Sequence, residues 1–459
     1  MNIQVSTLAA VVNGRLMGGD PLAAVTSACI DSRKVAPGSL FVAFKGENTD
    51  GHLYLEDCLG RGAVAALVEK AVEAPEGLAV IHVQNTLIAL QELAAWWRRR
   101  FALQAIGVTG SSGKTTTKEL IAAVVEAGFT TIKTLGNHNN EIGLPLRMLD
   151  LDEKHQVAVL EMGMDARGQI ARLCEISQPG IGVITNIGDS HLEKLGSREN
   201  IRLAKMELAH NLTEPKILIV NGDDPFLRDY ALDTASDWTA LTYGFGRGNN
   251  FRAGEVKEGP RGVDFTVFWD DKCIDVSVPM PGDHNVLNAL AAFTVGIQLG
   301  MEPATIVRGL ETARNAAGRL NIKHVGELTV IDDSYNSNPD SVRAAFKVLL
   351  RQPGKRHVAF VGDMLELGSS TETSHYQMGQ IAANLGIDLL VAVGDWSETV
   401  ATGALAAGLD AGQIQTYTDS RAASAALAML KPDDVVLFKG SRGIQMETLV
   451  ALLENGGQK

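Results

Sequence analysis

Ala105-Ile106-Gly107-Val108-Thr109-Gly110-Ser111-Ser112-Gly113-Lys114-Thr115-Thr116-Thr117 passes from an apolar stretch, through a glycine-containing turn, into a helix-forming segment. A strand that breaks in such a turn and restarts as a helix exposes backbone N–H groups. The positive end of the helix dipole adds to them, and together they cradle phosphate. Lys114 can reach the outer phosphates and the Thr115 hydroxyl can ligate magnesium. The expected nucleotide contacts are therefore Gly110, Ser111, Ser112, Gly113, Lys114, Thr115 and Thr116. A general P-loop has glycine five places before Gly113; Val108 stands there, so this is the short Gly-x-x-Gly-Lys-Thr form.

From Gln104 onward, apolar runs alternate with helical stretches. Ala105 to Val108, Val157 to Leu160, Gly182 to Thr185 and Ile217 to Val220 read as strands of a parallel sheet covered by helices. From Tyr243 to Met280 the pattern turns to short β segments, and the alternation in 263–269 predicts an antiparallel appendage with one wet face. A second strand and helix series follows Gly318-Arg319-Leu320, in 329–331, 357–361, 389–393 and 435–438, and predicts a Rossmann-like domain. Upstream, 39–44 reads as a strand and 87–100 as a helix in a small α/β unit closed by Trp96, Trp97 and Arg98 to Arg100. A chain of 459 residues exceeds the size of one core. The expectation is an α/β fold of three domains: 1–104, a central P-loop domain at 105–316, and 317–459.

With 45% hydrophobic and 21% charged residues and no low-complexity tract, the chain has the composition of a folded enzyme. The formal charge of -13 argues against a phosphate-tracking surface, so nucleic acid is not an expected partner. The start lacks a basic stretch followed by an apolar core, and nowhere do eighteen apolar residues run together. A cytoplasmic protein without a membrane partner is expected. Cys29, Cys58, Cys174 and Cys273 lie far apart, as reduced packed thiols do.

Further motifs are Gly136-Asn137-His138-Asn139-Asn140-Glu141-Ile142-Gly143, Glu161-Met162-Gly163, Thr185-Asn186-Ile187-Gly188 with His191, and Gly282-Asp283-His284-Asn285-Val286-Leu287-Asn288-Ala289. Beyond them stand Gly318-Arg319, Asp332-Asp333-Ser334-Tyr335-Asn336-Ser337-Asn338-Pro339, Gly362-Asp363-Met364-Leu365-Glu366-Leu367-Gly368 and Lys439-Gly440-Ser441-Arg442. Jointly, and over nearly the whole chain, they resemble the Mur ligase family, which adds amino acids to a UDP-linked peptidoglycan precursor.

Glu161 follows an apolar strand, where ligands of open α/β sheets collect, and the resemblance implies that it holds magnesium. His191, which alone would read as a surface or structural histidine, is implied as a second metal or phosphate contact. Lys205 lies beside the helical stripe of Ile201, Ala204 and Leu208 and reads as a solvated lysine. The resemblance implies instead a CO2-derived carbamate on Lys205 that helps to seat a second magnesium ion, with Glu207 nearby. Asn140 could be a turn former; its motif implies a phosphate or carboxylate contact. Asn285 and Asn288 are implied on the adenine side, their alternative being a helix cap. Arg319 is implied at phosphate, and Asp333 and Tyr335 at the ribose or the acceptor amine.

In the first domain, Ser32, Arg33, Phe44, Gly46, Asp50 and His52 resemble the segments that hold the UDP part, the alternative being a plain turn. In the last, Tyr335, Asn336, Asn338, Lys439 and Arg442 are implied to place the incoming dipeptide. The implied activity is ATP- and magnesium-dependent ligation of D-Ala-D-Ala to UDP-N-acetylmuramoyl-tripeptide (UDP-MurNAc-tripeptide) through an acyl phosphate, by a monomer. That acceptor rests on the resemblance, above all in 335–339; the Asp-Asn-Pro-Arg motif of diaminopimelate-adding relatives is absent. The alternatives are a related ligase with another acceptor and a P-loop ATPase that forms no bond.

Overall fold

The computed structural model describes residues 1–47, 49–231 and 236–456, and the chain divides into two compact units. The first takes in Met1–Val108, Phe129–Gly182 and Met206–Ile217; the second takes in Thr109–Gly128, Val183–Lys205 and Leu218–Lys459. The fold is mixed α/β with parallel-rich sheets, as expected.

In the first unit a five-stranded sheet runs in the order Arg15–Met17, Ala79–His82, Ala63–Val68, Ser39–Val42, Ser27–Cys29. Its first pair is antiparallel and the rest are parallel. Both faces are covered, so Ala63–Val68 and Ser39–Val42 are almost wholly buried. The helix Thr86–Arg98, capped by Asn85 on the Ile88 amide, closes this part. Trp97 Nε1 donates to the Leu151 carbonyl and buried Arg98 Nε to that of Ser177, which fastens the helix to the Phe129–Gly182 segment. There Val157–Glu161, buried along its length, lies parallel to Thr131–Lys133 and to the strand leading to the phosphate loop, with Glu161 in register with Val108.

The second unit contains the expected antiparallel ribbon, Phe251–Gly259, Gly262–Trp269 and Lys272–Val278. It also contains a six-stranded sheet ordered Asn321–Val325, Leu328–Asp333, Asp434–Lys439, Arg356–Gly362, Leu389–Val393, Ile414–Tyr417. Its first strand is antiparallel to its neighbour and the others are parallel. Separate apolar clusters cover its two faces. The last strand of the chain lies between Leu328–Asp333 and Arg356–Gly362, so the loops after these three strands meet at a topological switch point, where open α/β sheets collect ligands.

Candidate functional site

The strand Gln104–Thr109 breaks at Gly110 and the helix Lys114–Glu126 starts after Gly113. Gly113 has φ +79°, and a Cβ there would lie 2.8 Å from Asn288 Oδ1; at Gly110 it would lie 1.9 Å from Thr185 Oγ1. Only glycine fits either place. The first N–H groups of the helix have no intrahelical partner and point toward the loop. The remainder of the loop is laced to the segment 185–190. Ser111 N donates to Asn186 O (3.0 Å), Ser112 N to Asn186 Oδ1 (2.9 Å), Thr185 Oγ1 to Ser112 O (2.6 Å), Gly188 N to Ser111 Oγ (2.8 Å) and Ser190 Oγ to Ser111 O (2.9 Å).

Lys114 Nζ donates to Gly110 O at 2.7 Å, and Lys205 Nζ reaches the same oxygen at 3.0 Å. This corrects the solvated reading of Lys205, which is 1% exposed. The buried face of its helix includes Met206 as well as Ile201, Ala204 and Leu208, so it is wider than the apolar stripe and encloses the lysine. Burial, and secondarily the Lys114 ammonium, hold the Lys205 amine well below the ordinary lysine pKa. Glu207 turns elsewhere: its two carboxylate oxygens accept from Gly168 N (2.7 Å) and Ala171 N (3.1 Å), capping the helix Gln169–Ser177.

Glu161 is buried at the end of its strand. Its amide donates to Thr134 Oγ1 (2.9 Å) and its Oε1 accepts from Asn139 Nδ2 (2.7 Å), while Oε2 has no hydrogen-bond partner among the described residues. An unpaired buried carboxylate oxygen is a fitting ligand for a hard cation such as magnesium. Asn139, not Asn140, touches Glu161. Asn140 Oδ1 accepts from Ile142 N (3.2 Å) and Gly143 N (2.9 Å), the turn-forming alternative. Among the described residues no three His, Cys, Asp or Glu side chains converge as a metal cluster.

His191 follows Ser190, which is tied to the loop, and adopts φ +63° at the start of the helix Leu192–Leu195. Its Nδ1 lies 2.7 Å from Glu366 Oε2, an ion-pair distance at which the ring is turned off the hydrogen-bond direction.

Two adjoining cavities of about 200 and 90 Å³ share Ser112, Gly113, Thr116, Arg319 and Ser341. Into the larger face Asn285, Asn288, Tyr243, His284 and Asp333; the smaller is lined by Lys114, Thr115, Asn336 and Asn338. Asn288 Oδ1 accepts from Thr117 Oγ1 (3.0 Å), its Nδ2 donates to Asn285 Oδ1 (3.1 Å), and Asn285 Nδ2 donates to Pro281 O (2.8 Å). The helix cap is Gly282, so neither asparagine fills that role. The Arg319 guanidinium lies 4.3 Å over the Tyr335 ring, and its buried Nε has no hydrogen-bond partner among the described residues. Arg442, mostly exposed, lies 5.7 Å from the same ring.

Asn338 caps the helix Pro339–Arg351, and its Nδ2 donates to Ser112 Oγ at 2.9 Å. Asn336 Oδ1 accepts from the Ser337 amide. Lys439 is buried rather than presented to solvent: it donates to Asp333 Oδ2 (2.7 Å) and Asn336 O (3.0 Å), and burial lowers its pKa against the raising effect of Asp333.

In the first unit, Ser32 opens the short helix Ser32–Lys34. Exposed Arg33 doubly engages Asp31 at 2.9 Å and holds that carboxyl down at about 2. Phe44 O accepts from Gly51 N and Gly46 N donates to Thr49 O. Asp50 takes Lys70 and, at 2.6 Å, His52 Nδ1, and both hold its carboxyl well below the usual range. His52 Nε2 accepts from Glu69 N (3.1 Å), so both nitrogens of this buried ring are used internally. Asn139, Thr134, Thr117, Asn186 and Glu366 escaped the sequence-based choice of site residues. Each lay inside or beside a quoted motif, except Thr134, which carries no sequence signal.

Family models match three stretches: "Mur ligase family, catalytic domain" over 24–98, "Mur ligase middle domain" over 108–296, and "Mur ligase, glutamate ligase domain" over 318–442. The chain is similar to the UDP-N-acetylmuramoyl-tripeptide--D-alanyl-D-alanine ligase of Bacillus subtilis, with 39% identity over 92% of this chain and 91% of that one. The Escherichia coli enzyme of the same name is 35% identical over 99% of both chains. A crystal structure of MurF from Acinetobacter baumannii matches with TM-score 0.90 and 34% identity, covering 99% of both chains. MurF from Thermotoga maritima in complex with ADP matches with TM-score 0.82 and 29% identity, over 94% of this chain and 97% of that one.

Proposed function

The chain belongs to the Mur ligase family, and from that premise we propose that it joins D-Ala-D-Ala to UDP-N-acetylmuramoyl-tripeptide at the expense of ATP. This is the last cytoplasmic step toward the pentapeptide precursor of peptidoglycan. The observation that carries this reading is the end-to-end match to enzymes of that name, 99% of both chains in the Escherichia coli case.

The amides at the start of the helix Lys114–Glu126 and the Lys114 ammonium receive the β- and γ-phosphates. A magnesium ion would neutralise charge on the transferring γ-phosphoryl group; the groups we assign to hold it are the Glu161 carboxylate, through Oε2, the Thr115 hydroxyl and His191. The tripeptide's terminal carboxylate attacks the γ-phosphorus as the bond to ADP breaks, giving an acyl phosphate. The dipeptide amine then attacks the acyl carbon and loses a proton, and the tetrahedral intermediate expels phosphate. Positioning and charge stabilisation supply most of the catalysis. Arg319, which lines both cavities and whose Nε has no hydrogen-bond partner among the described residues, is suited to the transferring phosphate.

Lys205, whose burial favours the neutral amine, is suited to take up CO2 as a carbamate with loss of a proton, which supplies a further hard oxygen ligand. Asn285, Asn288 and Asp333 line the larger cavity and serve adenosine. We assign the UDP part to 1–104 through Ser32, Arg33, Phe44, Gly46 and Asp50, ATP to 105–316, and the dipeptide to 317–459 through Tyr335, Asn336, Asn338 and Arg442. Lys439 and His52 then act on their neighbours rather than on substrate. No described helix is long and apolar enough to cross a membrane; we take the enzyme to work as a monomer in the cytoplasm.

The test is phosphate release with Mg-ATP, UDP-MurNAc-tripeptide and D-Ala-D-Ala, omitting each in turn. Release with all three, accompanied by the pentapeptide mass, is expected. Release from ATP alone would sink the ligase reading, and silence with D-Ala-D-Ala but release with another amine would transfer the chain to a sister activity.

A further inference from the structure

The acidic loop 362–368 follows the strand Arg356–Gly362 and has no part in the chemistry above. It is held firmly from beneath. Met364 N donates to buried His375 Nε2 (2.9 Å), whose Nδ1 donates to Thr371 O (2.7 Å). Leu365 N donates to Ser441 Oγ (2.9 Å), and the Asp363 carboxylate accepts from Asp395 N (2.8 Å) and Trp396 N (3.2 Å). At the tip Glu366 has φ +65°, a left-handed conformation that is unfavourable for a residue with a side chain. Strain of this kind persists where the surroundings over-determine it, and such places cluster at functional sites.

The tip is applied to one short segment, 191–193. Glu366 Oε2 lies 2.7 Å from His191 Nδ1, Glu366 O accepts from Glu193 N at 3.4 Å, and Gly368 packs so closely on Glu193 that a Cβ would come within 3.1 Å of its Cα. His191 is itself in the left-handed region, next to Ser190, which is bonded to the phosphate loop. Two residues with positive φ thus face each other, one from the loop beside the nucleotide site and one from the far sheet of the same unit.

We propose that Glu366 is a positioning residue for His191: its carboxylate takes Nδ1–H, fixes the tautomer and ring plane, and leaves Nε2 to face the phosphoryl-transfer site. A carboxylate behind an imidazole fixes ring orientation and raises basicity. At 2.7 Å a small rotation of the imidazole ring is enough to bring Nδ1–H onto the carboxylate oxygen. The inference rests on the ligase reading for its kinetic arm alone.

The experiment has two arms on the full chain. In the first, the imidazole nitrogen resonances of nitrogen-15 histidine-labelled protein are followed, with His191 assigned from the His191→Gln variant. Wild type is expected to show a protonated Nδ1, and Glu366→Ala a mixture of tautomers; an unchanged His191 signal overturns the proposal. In the second, ligation is measured for wild type, Glu366→Ala, His191→Ala and the double variant. Glu366→Ala should lower kcat about 10- to 100-fold with KM for the dipeptide within about twofold of wild type. In the His191→Ala background the same change should have little further effect. Losses that multiply in the double variant, or an unchanged kcat, overturn the proposal. If Glu366→Ala does not fold, the near-isosteric Glu366→Gln serves in both arms. Should wild type fail to ligate, the ligase reading fails, and the nitrogen spectra still decide whether the couple exists.

Discussion

Lys114 and Lys205 donate to one carbonyl oxygen, that of Gly110, at 2.7 and 3.0 Å. Two ammonium groups on one acceptor repel each other, and the one in the drier place is the easier to deprotonate. Lys205 is that one: burial first and the Lys114 charge second hold its pKa well below the ordinary lysine range.

Replacing Lys205 with Met should remove most ligase activity, by at least about tenfold as for a lost metal-site group, with partial recovery in added short carboxylates. The stability effect has the opposite sign. The folded pKa lies below the ordinary 10.5, so between the two the unfolded chain binds more protons and wild-type stability rises with pH. In CO2-depleted buffer Lys205→Met should melt above wild type at pH 7, and the gap should close toward pH 10.5. Scanning calorimetry at several pH values checks this; a gap that widens with pH would refute it.

Asn139→Ala and Asn140→Ala should separate cleanly. The first removes the Asn139 amide that donates to Glu161 Oε1 and should cost about 10- to 100-fold in activity, with a higher magnesium requirement. The second removes a turn cap on the Ile142 and Gly143 amides and should cost about 1 kcal/mol of stability with little change in magnesium dependence. Magnesium titrations of both variants decide, and equal effects would show that the assignment is wrong.

Lys439 and Asp333 form a buried pair at 2.7 Å. Lys439→Met leaves Asp333 buried without its cation, a loss on the order of 3–5 kcal/mol, while adding Asp333→Asn should restore much of it. Urea melts of the two single variants and the double variant measure this. Full additivity would mean that the pair is not coupled.

His375 should contribute to acid sensitivity. Burial lowers its pKa below the ordinary 6.5, and Nε2 must stay unprotonated to accept from Met364 N. Below pH 6.5 the unfolded chain therefore takes up a proton that the folded chain does not, and stability falls until the folded pKa is reached. Asp363, 3.7 Å away, is raised by burial and acts in the opposite sense at lower pH. His375→Gln should flatten the fall in melting temperature between pH 6.5 and 5; an unchanged slope would count against this role.

The phosphate loop and the strand before Glu161 were legible because both are local: a strand, a turn and a helix start are written in consecutive residues. The antiparallel ribbon showed in its alternation for the same reason. What the chain did not announce depends on partners distant in sequence. Lys205 reads as solvated until the Gly110 carbonyl, 95 positions away, is known to lie over it. Lys439 reads as a free cation until Asp333, 106 positions away, is placed against it. Between Asn139 and Asn140 the choice was set by the path of one turn, which composition does not encode. His52 was selected for its motif, yet both its nitrogens are committed within its own sheet.

The lacing of Ser111 and Ser112 to the segment 185–190 has a consequence for inheritance. The two stretches, 74 positions apart at Ser112 and Asn186, form a single part manufactured in two pieces. Neither can drift alone: transplanting a foreign phosphate loop without its matching second piece would strand the Asn186 and Thr185 side chains. Each crosslink between the two stretches also removes freedom from the loop, so that its backbone donors are held in place by the protein itself.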